Sequence, residues 1–241
     1  MLPLAEIPPI SEKVTRRKVI VYKSRVDPTI VKLTAEKMKN KLFIKFGFSK
    51  PKPEEIRIVS VDKYYEPYIL IDAKYSIDFY KKRVYSLDVG NETDEVRILG
   101  ETFKPKTVVS STGESRKVIK IEAEECSSYG DRAYIVLDKT GREIPADQVP
   151  SAPSEDHPKK ILKEFGKKTG KVRVSPQKGI EVIKARIVKR PPEEGRVENE
   201  VFEVSEHAVI YSPIYEITFR NVKTGEEKVI KIDGVTAKIV P

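Results

Sequence analysis

Six of the chain's eleven tyrosines, Tyr64, Tyr65, Tyr68, Tyr75, Tyr80 and Tyr85, fall within 22 positions, interleaved with Lys74, Lys81, Lys82 and Arg83. Aromatic rings on a sheet face with basic neighbours can stack bases and hold phosphates. The same residue types also suit strand packing and protein interfaces. Alternation assigns Tyr75 to an apolar face and places Tyr68 and Tyr80 on a mixed face with Leu70. Tyr68, Tyr80, Tyr64 and Tyr65 are therefore the expected partner-binding residues.

Groups suited to catalysis are sparse. His157 lies in a Pro-rich stretch beside Glu155 and Asp156, and His207 follows Glu206 at the start of an apolar run. A general base needs a fixed position, which a Pro-rich connector does not supply. The single Cys126 follows Glu122, Ala123, Glu124 and Glu125, and neighbouring carboxylates disfavour a thiolate. Neither His-x-x-x-His nor Cys-x-x-Cys spacing occurs, and no glycine-rich phosphate loop is present. The reading leans away from an enzyme and expects no cofactor and no metal.

Charge supplies a second candidate surface. The chain carries 46 Lys and Arg against 37 Asp and Glu, a formal net charge of +9. Residues 1–60 hold 14 basic against 6 acidic groups, whereas residues 61–150 hold 14 against 17. The excess gathers in a basic arm, Arg16, Arg17 and Lys18, and on one predicted helix, Lys37 and Lys41; Lys81, Lys82 and Arg83 form a further cluster. These eight residues are the expected polyanion contacts. A solvated, Lys-rich surface of the kind found in heat-adapted proteins accounts for the same composition.

The elements that must position these groups follow from period and punctuation. Asp27-Pro28 has the chemistry of a helix start, an N-cap carboxylate followed by a residue with no N–H to satisfy. Ile30, Leu33, Met38, Leu42 and Phe46 recur at helical spacing, which predicts a helix over about residues 28–46 ended by Gly47. Arg17 to Lys23 predicts a short strand. Beyond Pro53 the period becomes two: Ile69, Ile71, Ala73, Tyr75, Ile77 and Phe79 form one apolar face. Strands are expected again at 83–89 and 95–99. Later come a short helix near 157–168 and strands at 171–175, 180–189, 200–204, 208–220, 226–233 and 235–240.

The two ends of the chain resemble one another. At an offset of 146, Tyr215, Ile217 and Phe219 fall on Ile69, Ile71 and Ala73; at 145, Lys228, Ile230, Ile232 and Asp233 fall on Arg83, Tyr85, Leu87 and Asp88. The expected fold class is α+β, mainly β, as two tandem helix-plus-antiparallel-sheet units with a β-hairpin insertion between them. The boundaries are 1–12 flexible tail, 13–104 first unit, 105–150 small β-hairpin region, 151–158 linker and 159–241 second unit. No apolar run approaches a membrane span, no signal peptide is legible and the lone cysteine cannot close an internal disulfide, so cytoplasmic location is expected. The functional expectation is a non-enzymatic adaptor or assembly protein holding another macromolecule on a sheet face or in a cleft between the units. A protein partner comes first, with nucleic-acid or ribosome-associated binding as the alternative and an enzyme of unrecognised type as a third reading.

Overall fold

The structure, a computed structural model, describes residues 9–43, 51–111, 113–190 and 195–240. The Phe46 and Gly47 end of the expected first helix, and the first eight residues of the expected tail, lie outside them. Strand accounts for 53% of the described residues, so β-pairing rather than helix packing organises them.

In chain order the strands are β1 (Ser11–Val14), β2 (Lys18–Val21), β3 (Ile56–Val89), β4 (Val96–Ile98), β5 (Glu101–Phe103), β6 (Lys106–Val109), β7 (Ser115–Leu137), β8 (Glu143–Ile144), β9 (Gly195–Asn221), β10 (Glu227–Asp233) and β11 (Ile239–Val240). The helices are α1 (Pro28–Leu42), α2 (Pro158–Phe165) and α3 (Pro176–Ile187). One large sheet runs in the order β11, β10, β9, β3, β7, β6, with β1 and β2 also on β9 and β8 on β7; β4 and β5 form a separate hairpin. Most pairings are antiparallel, but β2 lies parallel to β9, Lys18 opposite Ala208 and Val21 opposite Tyr211.

The chain divides into two compact units. The larger comprises Lys13–Lys74, Arg132–Ile187 and Glu203–Pro241, and the smaller Tyr75–Asp131 and Val188–Phe202 with the N-terminal segment through Glu12.

In the larger unit, α1 starts where the sequence says it should. The Asp27 carboxylate accepts the Thr29 N–H at 2.7 Å, satisfying one of the free amides of the first turn. Its buried face is Val31 and Ala35, with Met38 and Leu42 partly covered, not the stripe led by Ile30 and Leu33, which are 50% and 58% exposed. That face packs on Ile56 and Ile58 of β3, Tyr215, Ile217 and Phe219 of β9, and Ile230 and Ile232 of β10. The helix that precedes β3 thus covers strands from the far end of the chain, which interleaves the two halves.

Three expectations change in detail. Residues 83–89 are not a separate strand but the continuation of β3, because no turn residue interrupts the alternation after Phe79. The region expected as a small hairpin contributes β7, a 23-residue strand paired beside β3. Residues 176–187, with 180–187 expected as strand, form α3, on which Ile180, Ile183 and Ile187 are buried at helical spacing. Its Ser175-Pro176 start is the same device as Asp27-Pro28, the Ser175 hydroxyl accepting the Lys178 N–H at 3.3 Å. Four β-branched residues among its twelve disguised it, and burial outweighed their propensity.

Residues 151–158, expected to link two copies, are tied to the sheet. The Lys23 N–H donates to the Pro153 carbonyl at 2.8 Å and the Glu155 N–H to the Val21 carbonyl at 2.7 Å. These bonds bring the start of α2 to the end of β2.

The smaller unit has fewer buried apolar groups, among them Tyr75, Ile77, Phe79, Val118, Ile119 and Phe202. It adds a polar clamp. Glu200, 5% exposed, accepts the Tyr75 hydroxyl at 2.8 Å and the Arg190 guanidinium at 2.9 and 2.6 Å. Burial and then the neighbouring carboxylate push the Tyr75 phenol well above its ordinary range, so it stays a donor.

Candidate functional site

The tyrosine stripe legible in the sequence is not one surface. Tyr65 is buried, its ring edge-on to Phe165 at 4.9 Å, with the Lys63 ammonium 5.3 Å from the ring centre. It belongs to the core of the larger unit and has no face to offer a partner. Tyr68 is 8% exposed and, with Tyr64, lines a cavity. In the smaller unit, Tyr80 lies under the Arg196 guanidinium at 4.5 Å, and exposed Tyr85 donates to Glu125, which also accepts Arg83 at 3.0 Å. A 34-residue strand carries these rings through different surroundings, so proximity in sequence did not make a stacking platform.

The cavity of the larger unit measures about 480 Å³. Its walls are Tyr64 and Tyr68 of β3, Ile214 of β9, Lys231 and Asp233 of β10, Ile239 and Val240 of β11, and the 138–150 segment. Two turns of like construction frame it. Asp138 Oδ1 accepts the Thr140 N–H and hydroxyl at 2.8 and 2.6 Å, and Asp233 Oδ1 accepts the Thr236 N–H and hydroxyl at 2.7 and 3.0 Å. Each carboxylate closes the loop that follows its strand, an Asx arrangement with a threonine as second donor. Burial, with Glu66, Asp233 and Asp138 nearby, pushes the Tyr68 phenol up to about 12. Burial likewise raises Tyr64, with Glu66 and Glu216 adding to it.

The basic residues separate more sharply than the tyrosines. Taken over its residues, the larger unit carries 34 Lys and Arg against 20 Asp and Glu, net +14; the smaller carries 12 against 17, net −5. Arg16, Arg17 and Lys18 are exposed beside and on β2, and Lys37 and Lys41 are exposed on α1. None of the five has an ion-pair partner among the described residues. Lys81, Lys82 and Arg83 fall in the smaller unit, where Lys81 lies over the Phe79 ring at 4.8 Å and Arg83 is held by Glu125.

Sequence reasoning missed the residues that extend the β2 surface. Helix α2 packs against β2 and exposes Lys159, Lys160 and Lys163, and Lys171 follows it. A cleft of about 520 Å³ lies here, lined by Arg17, Val19, Leu162, Thr169, Lys171 and Tyr211 among others. Among the described residues the Thr169 hydroxyl is buried without a hydrogen-bond partner, as is Nε2 of His207, which is 4% exposed. Burial, and then the Arg17 charge, lower the pKa of His207 and keep it neutral. The signal for α2 was present as Lys159, Lys160 and Lys163 in one short helix, but its placement beside Arg16–Lys18 comes from the β2–β9 pairing.

Among the described residues no three His, Cys, Asp or Glu side chains gather as a metal site, and no helix is long and apolar enough to cross a membrane. Comparison with protein-family models, with curated proteins and with solved structures finds no match to this chain.

Proposed function

We propose that this chain is a binding protein for a polyanionic macromolecule, nucleic acid first, and that it engages the phosphate backbone through the β2–α2 face of the larger unit. The observation that carries the reading is the charge partition, +14 against −5, together with exposed cations on that face that have no ion-pair partner among the described residues. Arg16, Arg17, Lys18, Lys159, Lys160, Lys163 and Lys171 supply the contacts, and Lys37 and Lys41 extend them along α1. Contacts of this kind displace counterions and carry little sequence information. The test is fluorescence anisotropy with single- and double-stranded oligonucleotides over about 50–200 mM salt. The expected result is binding that weakens steeply with salt, with a slope that falls by about three when Arg16, Arg17 and Lys18 become Ala. Salt-insensitive binding, or none at the lowest salt, overturns the reading.

A protein partner remains the second reading, now on the smaller unit. Val84, Tyr85 and Leu87 on β3 are 59%, 48% and 48% exposed, a run of large apolar groups that favours an interface. Co-purification that survives nuclease and is abolished in Val84→Lys and Leu87→Lys variants supports it.

We also infer that the chain contains two copies of one unit, α1 with β3 and α3 with β9. Several correspondences support this. Both helices open with a capping side chain followed by Pro. Pro67 and Pro213 stand at the 146-residue offset inside the two long strands. The Tyr22 N–H donates to the Tyr211 carbonyl at 3.0 Å, and the Gly170 N–H to the Tyr65 carbonyl at 2.8 Å, which repeats one hydrogen bond at nearly the same offset. The copies exchange strands rather than standing in tandem.

A further inference from the structure

The cavity between Tyr64, Tyr68 and the Asp138 and Asp233 turns has no part in polyanion binding, and its interior has the opposite character. Its charged groups are sorted by depth. Asp233 is 7% exposed and has no ion-pair partner among the described residues; its Oδ1 is occupied by the turn, and Oδ2 has no hydrogen-bond partner there. The side chains of Glu66 and Asp138 are 17% and 20% exposed, and both are already paired, Glu66 with Lys139 at 2.7 Å and Asp138 with Arg142 at 3.5 Å. Two cations lie toward the rim, the Arg142 side chain 82% exposed and Lys238 exposed, while Lys231 is half-buried and stands directly across the strand pair from Glu216.

Tyr68 is the independent sign that something is meant to enter. It is more than nine-tenths buried and lines the cavity, yet its hydroxyl makes no hydrogen bond among the described residues. The ring is covered while the hydroxyl keeps solvent access, so a group that enters the cavity can reach it. An unpartnered hydroxyl and an unpaired carboxylate in one cavity, with Tyr64, Ile144, Ile214 and Ile239 also in its walls, form a set of groups suited to a ligand that donates hydrogen bonds and carries an apolar body. A volume of about 480 Å³ lies in the range of small-molecule sites.

We propose that this cavity binds a small organic cation, an ammonium or guanidinium on an apolar or aromatic body, with Asp233 and the Tyr68 hydroxyl receiving the charged head and the Tyr64 ring flanking it. Burial first, and then the charges of Glu66, Asp233 and Asp138, raise the Tyr68 phenol, and the second contribution accords with carboxylates around it. Aromatic faces and carboxylates are the groups that recognise such cations in water.

The test uses three probes of one shape, phenethylamine, phenethyl alcohol and phenylacetate, titrated into the full chain while the backbone amides of residues 138–142 and 233–236 are followed by NMR. The expected result is saturable shifts of both turns with phenethylamine, at least about tenfold weaker binding of the alcohol, and none of the anion. Asp233→Asn retains an oxygen for the turn and removes the charge, and is expected to weaken phenethylamine about tenfold. If that variant does not fold, Tyr68→Phe decides, since it keeps the ring and removes only the hydroxyl. Equal binding of all three probes, preference for phenylacetate, or no saturable shift with any of them overturns the proposal. Oligonucleotide binding by the β2–α2 face is measured separately and is unaffected by the outcome.

Discussion

Glu200 shows what a single side chain does in the smaller unit. Its carboxylate holds Tyr75 and Arg190 at once while its side chain is 1% exposed, so its removal takes the acceptor from the buried Tyr75 phenol and an ion pair from Arg190. Glu200→Ala is expected to cost about 3 kcal/mol in chemical denaturation, whereas a surface pair such as Arg220 with Glu227 is worth well under about 1 kcal/mol. A cost below about 1 kcal/mol for Glu200→Ala means that the carboxylate does not clamp the unit. His207 sets the pH response of the larger unit. Its folded pKa is lowered, by burial and then by Arg17, below the unfolded value of about 6.5. The unfolded chain therefore takes up the proton first, so stability is intact above about pH 6.5 and is lost as pH falls through the folded value. The melting temperature is expected to drop between about pH 7 and about pH 5, and His207→Gln to remove that part of the drop. An identical pH profile in wild type and variant assigns the drop to other groups.

At the scale of elements, turns and close approaches decided more than propensity did. Gly234 ends β10, and a Cβ there would meet the Pro213 carbonyl oxygen at 2.9 Å and the Tyr215 ring at 3.1 Å. Its own carbonyl accepts the Arg25 and Val26 N–H groups and the Ser24 hydroxyl, which seats the approach to α1 on the sheet. Gly234→Ala must displace backbone, not a flexible side-chain end, and is expected to destabilise by about 1–3 kcal/mol in thermal or denaturant unfolding. Helix α1 was legible from Asp27-Pro28, but its covered face was not. Ile30 and Leu33 are larger than Val31 and Ala35, yet the smaller pair lies against Phe219 and Tyr215, where bulk is already supplied by the sheet. Helix α3 was hidden for a related reason, since Ile180, Val182, Ile183 and Ile187 read equally as a strand when no partner is specified.

For the whole molecule, the partition of charge is the property most open to measurement. A chain of +9 composed of units at +14 and −5 is expected to contact a polyanion with one unit only. Replacing Lys159, Lys160 and Lys163 by Ala is therefore expected to weaken oligonucleotide binding and to lower the salt slope by about one for each phosphate no longer neutralised. The same replacement of Lys81, Lys82 and Arg83 in the smaller unit is expected to leave the slope unchanged. Equal effects from the two triple variants place the phosphate-binding cations elsewhere.

Within this sequence, local chemistry determined what local chemistry can. The Asp27-Pro28 helix start, the apolar alternation from Ile69 to Phe79 and the strand expected over 226–233 and found at Glu227–Asp233 all depend on neighbours a few residues apart. Tertiary structure decided which side chains became surface. Tyr65 and Tyr68 look alike in the sequence, but one packs on Phe165 and the other opens into a cavity whose far wall comes from β10 and β11. Arg17 and Leu162 line one cleft because β2 pairs with β9 and the chain returns to β2 before α2 begins. Such pairings join residues more than a hundred positions apart, and their free energy comes from burial that no single stretch of chain can perform alone.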